Sequence, residues 1–543
     1  MNLADIWEAL ADRIGDAPAQ IYGKKRWTFA ALESRAARLA GAFAAHGVGE
    51  GAKVALYLFN APEFLEATFA ALKLRAIPVN VNYRYLEDEL HYLLENSDAE
   101  VVLYHGALAE RIEAVRARLP RLRLLVQVTT NPEDEAPLLS GAYDYEKLVA
   151  TSAPAPRIER SADDFIFLYT GGTTGLPKGV MWTHRALFEQ FKSSYMMSGN
   201  PVPTTPAEAA SAAVKMHEKN AAGPGLAAAP LMHGMAWFSS MGRLMIGGAV
   251  VILTERSFDG HEFWRAVQEH RVAACTIVGD AFARPMVRAL EEAESRGKPY
   301  DVSSLGMIVS GGVMWSAAMK KEFQKRGIGL LIDGLGSSEA TGAAMMITTL
   351  ADDPTTARFR LSPDTKVFTD DGREVAPGSG EVGVLAIGGQ ALPAGYYKDS
   401  AKTEATFRVI DGIRYSIPGD YATVEADGTI TLLGRGSVCI NTGGEKVFPE
   451  EVEEVLKAHS AIEDCVVVGV PDEQWGQAIT AVVALAPGAS LDADGIRAIP
   501  RGKLAPYKSP KHAIVVDRIV RSPAGKADYR WALDTAKQRL GMA

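Results

Sequence analysis

Between Tyr169 and Val180 the chain reads Tyr-Thr-Gly-Gly-Thr-Thr-Gly-Leu-Pro-Lys-Gly-Val. Gly171, Gly172 and Gly175 are interleaved with Thr170, Thr173 and Thr174 ahead of Lys178. Glycines let backbone N–H groups approach an anion closely, threonine hydroxyls add donors, and the lysine adds a full positive charge. Such a loop is built to hold polyphosphate. It is not the P-loop G-x-x-x-x-G-K-[ST]. Leu176 and Pro177 separate Gly175 from Lys178, and Gly179 stands where a magnesium-binding hydroxyl should follow. Pro177 also biases Leu176 away from helix, so the loop cannot run straight into a helix N-terminus. An ordinary glycine-rich turn rarely combines this density of hydroxyls with a lysine.

Other stretches carry usable groups. Asp333-Gly-Leu-Gly-Ser-Ser-Glu339 follows an apolar run, so it can expose backbone to a flat ligand and deliver a carboxylate. Equally, it reads as a strand-to-helix turn with Ser338 or Glu339 as cap. Asp420, after Pro418-Gly419, is by turn propensity alone more often structural. Lys526 in Ser522-Pro-Ala-Gly-Lys526 sits on a tight turn, where a lysine is normally a solvated charge. His233 lies among apolar residues and by itself reads as a core histidine, while Glu450, Glu451 and Glu453 read as the solvated start of an amphipathic helix. No Ser/His/Asp triad, metal cluster or GxGxxG is visible.

Tyr169 to Gly179 resembles the phosphate loop of the adenylate-forming superfamily, which holds acyl-CoA synthetases, luciferases and peptide-synthetase adenylation domains. The other stretches follow in that family's order, at compatible spacings, over nearly the whole chain. The resemblance implies ATP held by Thr170, Gly171, Gly172, Thr173, Thr174, Gly175 and Lys178, with Gly336, Ser337 and Ser338 on the adenine side. It implies Mg²⁺ coordinated with help from Glu339, ribose hydroxyls bonded to Asp420, and Arg435 against ribose or phosphate. A carboxylate suits a cis-diol because it offers two acceptor oxygens. His233, Gly279, Asp280, Gly311, Gly312 and Gly334 would line the acyl pocket, and Gly443 and Gly444 would let pantetheine pass. Lys526 would bridge carboxylate and phosphate oxygens, making Lys526, Glu339 and Thr170 the catalytic set. There are departures: Leu335 replaces the usual adenine-stacking aromatic, Ser338 the usual threonine, and Ser437 the Asp or Lys on which many relatives pivot.

The implied reaction has two halves. A carboxylate attacks the α-phosphate of Mg-ATP, giving acyl-AMP and pyrophosphate; a lid domain then rotates, and coenzyme A thiolate displaces AMP. Glycine-rich pocket walls leave room, and no charged residue obviously awaits a second polar group, so a medium- to long-chain or bulky alkanoate is expected. The wording of the motifs is similar to that of ligases acting on fatty acids and steroid side chains. An aryl-carboxylate CoA ligase, an acyl-AMP ligase loading a carrier-protein thiol and a nucleotide-sensing binding protein are the alternatives.

The elements that must position these groups follow from pattern. A chain of 543 residues exceeds one core. From Lys53 onward, short apolar strands alternate with amphipathic helices, both before and after the phosphate loop, which predicts α/β architecture with two sub-domains. Residues 363–430 are β-rich, and beyond Gly434-Arg435-Gly436 lies a compact αββαβ unit. The expected division is a 1–434 N-terminal adenylation domain and a small mobile α+β lid, 435–543, hinged near 435–437. Residues 198–230, Pro/Gly/Ala-rich around a short helix, read as either a mobile lid or a surface insertion, with the insertion slightly favoured. A net charge of -9 argues against nucleic acid as partner. The apolar run Met235 to Leu253 is broken by Arg243 and Gly247-Gly248, so it reads as core and no transmembrane segment is expected. Asp5, Glu8 and Asp12 leave no signal peptide apparent, and Cys275, Cys439 and Cys465 lack metal-ligand spacing, which suits a cytoplasmic enzyme. A homodimer is allowed for.

Overall fold

The computed structural model describes residues 1–170, 176–313, 315–442, 445–472, 475–501, 503–504, 506–522 and 525–542; the side chains of Arg435, Ser437, Glu445 and Lys446 lie outside that description. Several helices begin where the sequence supplies a capping side chain. Asn2, Thr28, Thr183, Thr205 and Asp259 each accept a first-turn backbone N–H.

The described strands form three sheets, of fifteen, eight and five strands. In the eight-stranded sheet Lys53–Tyr57, Ile77–Asn80, Ala99–His105, Leu124–Val128 and Phe165–Thr170 run parallel. Alternate residues of Lys53–Tyr57 feed separate cores: Val54 and Leu56 pack on one face, Ala55 and Tyr57 on the other. That is why these strands read as continuous apolar runs. Lys178–Thr183 returns antiparallel to Phe165–Thr170, so the phosphate-loop stretch spans a hairpin.

Beyond its antiparallel edge strand Lys25–Thr28, the fifteen-stranded sheet runs parallel through Pro18–Tyr22, Val250–Ile252, Gly225–Ala227, Ala274–Ile277, Met307–Gly311 and Leu330–Ser337. At Ser338-Glu339 the chain folds back as the antiparallel strand Ala340–Thr349 rather than entering a helix. That choice extends the sheet. Strands of the β-rich region then join it through Arg358–Leu361 and Thr429–Arg435. The region keeps a core of its own, with Val367, Leu385, Ile387, Ala422 and Ile430, but not a sheet of its own.

Helix Pro206–Glu218 buries Ala209, Ala210 and Ala213, and Gly247 comes against Ala213, so the 198–230 segment is bedded on the large unit. The five-stranded sheet begins at Ile440–Thr442 and carries helices Pro449–Lys457, Ala493–Ala498 and Tyr529–Arg539. The last helix went unread in the sequence. It buries only Ala532 and Ala536, a stripe too narrow to register as periodicity.

Candidate active site

Asn80, at the end of its strand, holds the root of the phosphate-loop hairpin. Its Oδ1 accepts from the Tyr169 N–H at 2.6 Å, and its Nδ2 donates to the Tyr169 carbonyl at 3.1 Å and the Met232 carbonyl at 2.5 Å. One buried amide therefore ties the loop to the residue before His233. Thr170 pairs with Lys178 across the hairpin. Gly179 is a glycine for a local reason: a Cβ there would lie 2.7 Å from the Tyr169 ring. Gly171, Gly172, Thr173, Thr174 and Gly175 lie outside the described residues.

Lys178 is half-exposed and pairs with Asp399 at 2.7 Å. Its ammonium also stands 5.7 Å from the centre of the Tyr396 ring, and the Tyr396 hydroxyl donates to Glu339 Oε1 at 2.8 Å. Lys178 and Glu339, 161 residues apart by their numbers, are thus joined through Tyr396. Trp182 Nε1 donates to the Ser338 carbonyl at 3.1 Å, and Ser337 Oγ accepts from Glu339 N–H at 3.2 Å. Gly336 is exposed at this turn. Asp420 is paired in register with Arg435 across adjacent strands, which puts the two expected ribose contacts side by side along the backbone. Gly443 and Gly444 lie outside the described residues.

The acyl-side candidates gather where parallel strands end. Gly311 and Gly334 are register partners. A Cβ on Gly311 would lie 2.9 Å from the Gly334 carbonyl and 3.1 Å from Met235 Cε, so this wall has room only for glycine. Gly279 donates its N–H to buried Ser310 Oγ at 2.9 Å. Asp280 is already engaged, accepting from Ser316 N–H at 2.8 Å and Arg284 at 3.0 Å. Gly312, at φ 89°, is exposed beside them. His233 precedes helix Gly234–Met245, and its Nε2 is enclosed with no partner among the described residues. Burial, then the charges of Lys526 and Arg84, push the imidazole down to about 3. It is therefore a neutral group with an open nitrogen, not the satisfied core histidine its surroundings suggested.

Lys526 lies on a turn closed by Ser522 N–H to the Lys526 carbonyl at 2.8 Å, and its side chain is exposed. Arg521 donates to the Gly525 carbonyl at 3.0 Å and grips Asp464 through two 2.6 Å bonds. Next to the lysine, Gly525 has φ 71°, and a Cβ there would lie 2.8 Å from Ala281 Cβ. The small unit thereby seats its lysine turn on the first turn of helix Gly279–Ser295, beside the acyl-side glycines. An exposed pair, Arg288 to Glu463 at 2.8 Å, flanks the same junction. Sequence reasoning missed Asn80, Tyr396, Asp399, Asp464 and Arg521.

A large α/β unit with a small α+β unit seated over its strand ends is the fold of known CoA ligases. The chain is similar to the anthranilate CoA ligase AuaEII solved in complex with anthranoyl-AMP, with a TM-score of 0.84 at 22% identity over 100% of this chain and 98% of that one. The chain belongs to the AMP-binding enzyme family, whose model matches residues 7–397, and the AMP-binding enzyme C-terminal domain matches residues 451–526. It is 43% identical over 544 residues to a 3-oxocholest-4-en-26-oate–CoA ligase of Rhodococcus rhodochrous, spanning 98% of this chain and 96% of that protein. It is 41% identical over 551 residues to the medium-chain acyl-CoA ligase Mig of Mycobacterium avium, spanning 97% of each. Among the described residues no helix is long and apolar enough to cross a membrane.

Proposed function

We propose that this chain is an AMP-forming acid–thiol ligase that activates a medium- to long-chain or steroid-type carboxylic acid as acyl-AMP and passes the acyl group to coenzyme A. The observation that carries this reading is the seating of the Lys526 turn on helix Gly279–Ser295, close enough for its charge to act on His233. The turn that carries this ammonium thereby lies against the helix that starts at Gly279, on the acyl side of the large unit.

In the first half-reaction, hairpin amides and hydroxyls hold the triphosphate, and Asp420 with Arg435 hold ribose. Lys526 neutralises charge building on the attacked phosphorus, the main lever in phosphoryl-type transfer. Neutral His233 offers its open nitrogen to the substrate carboxylate without repelling Lys526. Glu339 fits a magnesium ion held largely by phosphate oxygens, since it brings one carboxylate and Tyr396 occupies only Oε1. The described residues contain no group of three or more His, Cys, Asp or Glu suited to a metal. When bound, Mg²⁺ would supply charge neutralisation on those oxygens. For the second half-reaction the 435–543 unit turns about 435–437, and Gly443-Gly444 give pantetheine its path. Buried thiols at Cys275 and Cys465 support a reducing, cytoplasmic setting.

The test is a panel of alkanoic, steroid side-chain and aryl acids scored for pyrophosphate release and for CoA-dependent AMP production. The reading expects both signals with long or bulky alkanoates. Pyrophosphate release that never leads to CoA-dependent AMP would move the acceptor to a carrier protein, and no acid-dependent release at all would sink the enzyme reading.

A further inference from the structure

Helix Gly234–Met245 starts beside His233 and is mostly buried. Ala236, Trp237, Ser240, Met241, Leu244 and Met245 are enclosed, while Met235, Phe238, Ser239 and Arg243 keep partial exposure. Spacing of i, i+3, i+4 and i+8 puts those four on one face. The strand opposite shows the same signature: in Met307–Gly311, Met307 and Val309 are half-exposed, while Ile308 and Ser310 are buried.

Two contacts fix how helix and sheet lie together. At one end Met235 sits on Gly311. At the other Arg243 lies over Gly225, where a Cβ would come 3.1 Å from Arg243 Cγ. Gly225 is the register partner of Ala274, and Ala274 of Met307, so Arg243 stands over the Met307 row on the same sheet face. From the Gly311 row to the Met307 row is about 13 Å along the strands, against about 12 Å of helix from Met235 to Arg243, and Gly225 lies two strands, about 10 Å, to the side, so the helix crosses the sheet obliquely. A partly open seam therefore runs between helix and sheet from the His233 end to Arg243.

Arg243 has no carboxylate partner among the described residues. One terminal nitrogen donates to the Gly223 carbonyl, and Nε is enclosed with no partner among the described residues. Burial alone pushes the guanidinium down to about 10. A largely buried cation with one carbonyl partner and an unpartnered Nε is better satisfied when a further acceptor arrives.

We propose that Arg243 closes the acyl seam as a specificity-determining residue, donating to a carbonyl or carboxylate oxygen at the end of the substrate remote from the reacting carboxyl. This rests on the ligase reading above and deepens it: the sequence offered no charged group for a second polar function, and Arg243 supplies one.

The experiment measures kcat/KM with three acids long enough to span the seam: a plain alkanoate, its terminal ketone and its α,ω-dicarboxylate. Wild type is compared with Arg243→Met and Arg243→Lys. Wild type should favour at least one of the two oxygen-bearing acids over the alkanoate. In Arg243→Met that preference ratio should fall about 10- to 100-fold, with Arg243→Lys between. A fall confined to the dicarboxylate identifies a second carboxylate as the group read, and a fall confined to the ketone identifies a carbonyl. Unchanged ratios for both acids overturn the proposal. Should Arg243→Met fail to fold, a wild type without preference for either oxygen-bearing acid overturns it equally. Wild type inactive on every acid, the alkanoate included, would fail the ligase reading itself and this inference with it.

Discussion

The hairpin root and the lysine turn to which the proposed chemistry falls are anchored by opposite means. The phosphate hairpin is rooted in a buried parallel sheet by the neutral amide of Asn80, which makes three hydrogen bonds to backbone. The lysine turn is braced by a half-buried ion pair, Asp464 with Arg521, which reaches the turn through the Gly525 carbonyl. A neutral amide in a core responds little to pH or salt and costs heavily when removed. An ion pair with exposed edges is weaker and adjustable. Arg521 holds the Asp464 carboxyl below its ordinary range even though burial opposes it. Its contribution is present above the ordinary carboxylate range and fades only as pH falls below about 4. In the proposed cycle, the half of the site that stays in place has the first kind of anchor and the half that turns away has the second.

The comparison can be broken at several points. Lys526→Ala should slow acyl-AMP formation by about a thousandfold while thioester formation from supplied acyl-AMP stays within a few-fold; equal loss in both half-reactions would remove Lys526 from its role. Asn80→Ala strands a buried N–H and two carbonyls, so thermal or denaturant unfolding should report about 2–4 kcal/mol less stability. Because the amide reaches both Tyr169 and Met232, KM for ATP and for the acid should rise together, and a change in only one would refute the shared anchor. Asp464→Asn should slow the first half-reaction about 10-fold through a loosened turn and spare the second. Partial recovery in the swapped pair Asp464→Arg with Arg521→Asp would sharpen the assignment, whereas equal slowing of both halves would argue against it.

A separate effect concerns pH. His233 is held at about 3 against an ordinary 6.5, so the stability it lends is complete above pH 6.5 and drains away as pH falls towards 3. His233→Gln should therefore lose less stability than wild type between pH 6.5 and 4. A parallel decline in the two proteins would contradict a buried neutral imidazole.

Much of the frame was legible. Apolar runs such as Lys53–Tyr57 and the capped amphipathic window Gly260–His270 follow from local periodicity, and hairpin residues announced themselves by composition. The anchors were not legible, for a physical reason. Asn80 and Tyr169 are 89 residues apart, Lys178 and Asp399 are 221, and Asp464 and Arg521 are 57. Asn, Asp and Arg at such positions look like any surface polar group until the fold buries them. The Glu339 turn shows a different limit: glycines and serines suit strand-to-helix and strand-to-strand equally, and only the need to cover the edge of Leu330–Ser337 decides it.

Gly525 meets two demands at once: a left-handed backbone, and a surface flat enough to lie against Ala281. A single extra methyl there acts as a wedge, prising the docked pose apart without altering any reactive group. We expect Gly525→Ala to scatter X-rays as a more open particle and to idle on the thiol side of its cycle. An unchanged scattering profile would show that the docking tolerates the intrusion. On the proposed cycle, the timing of the catalyst is thus written partly in an atom the chain leaves out.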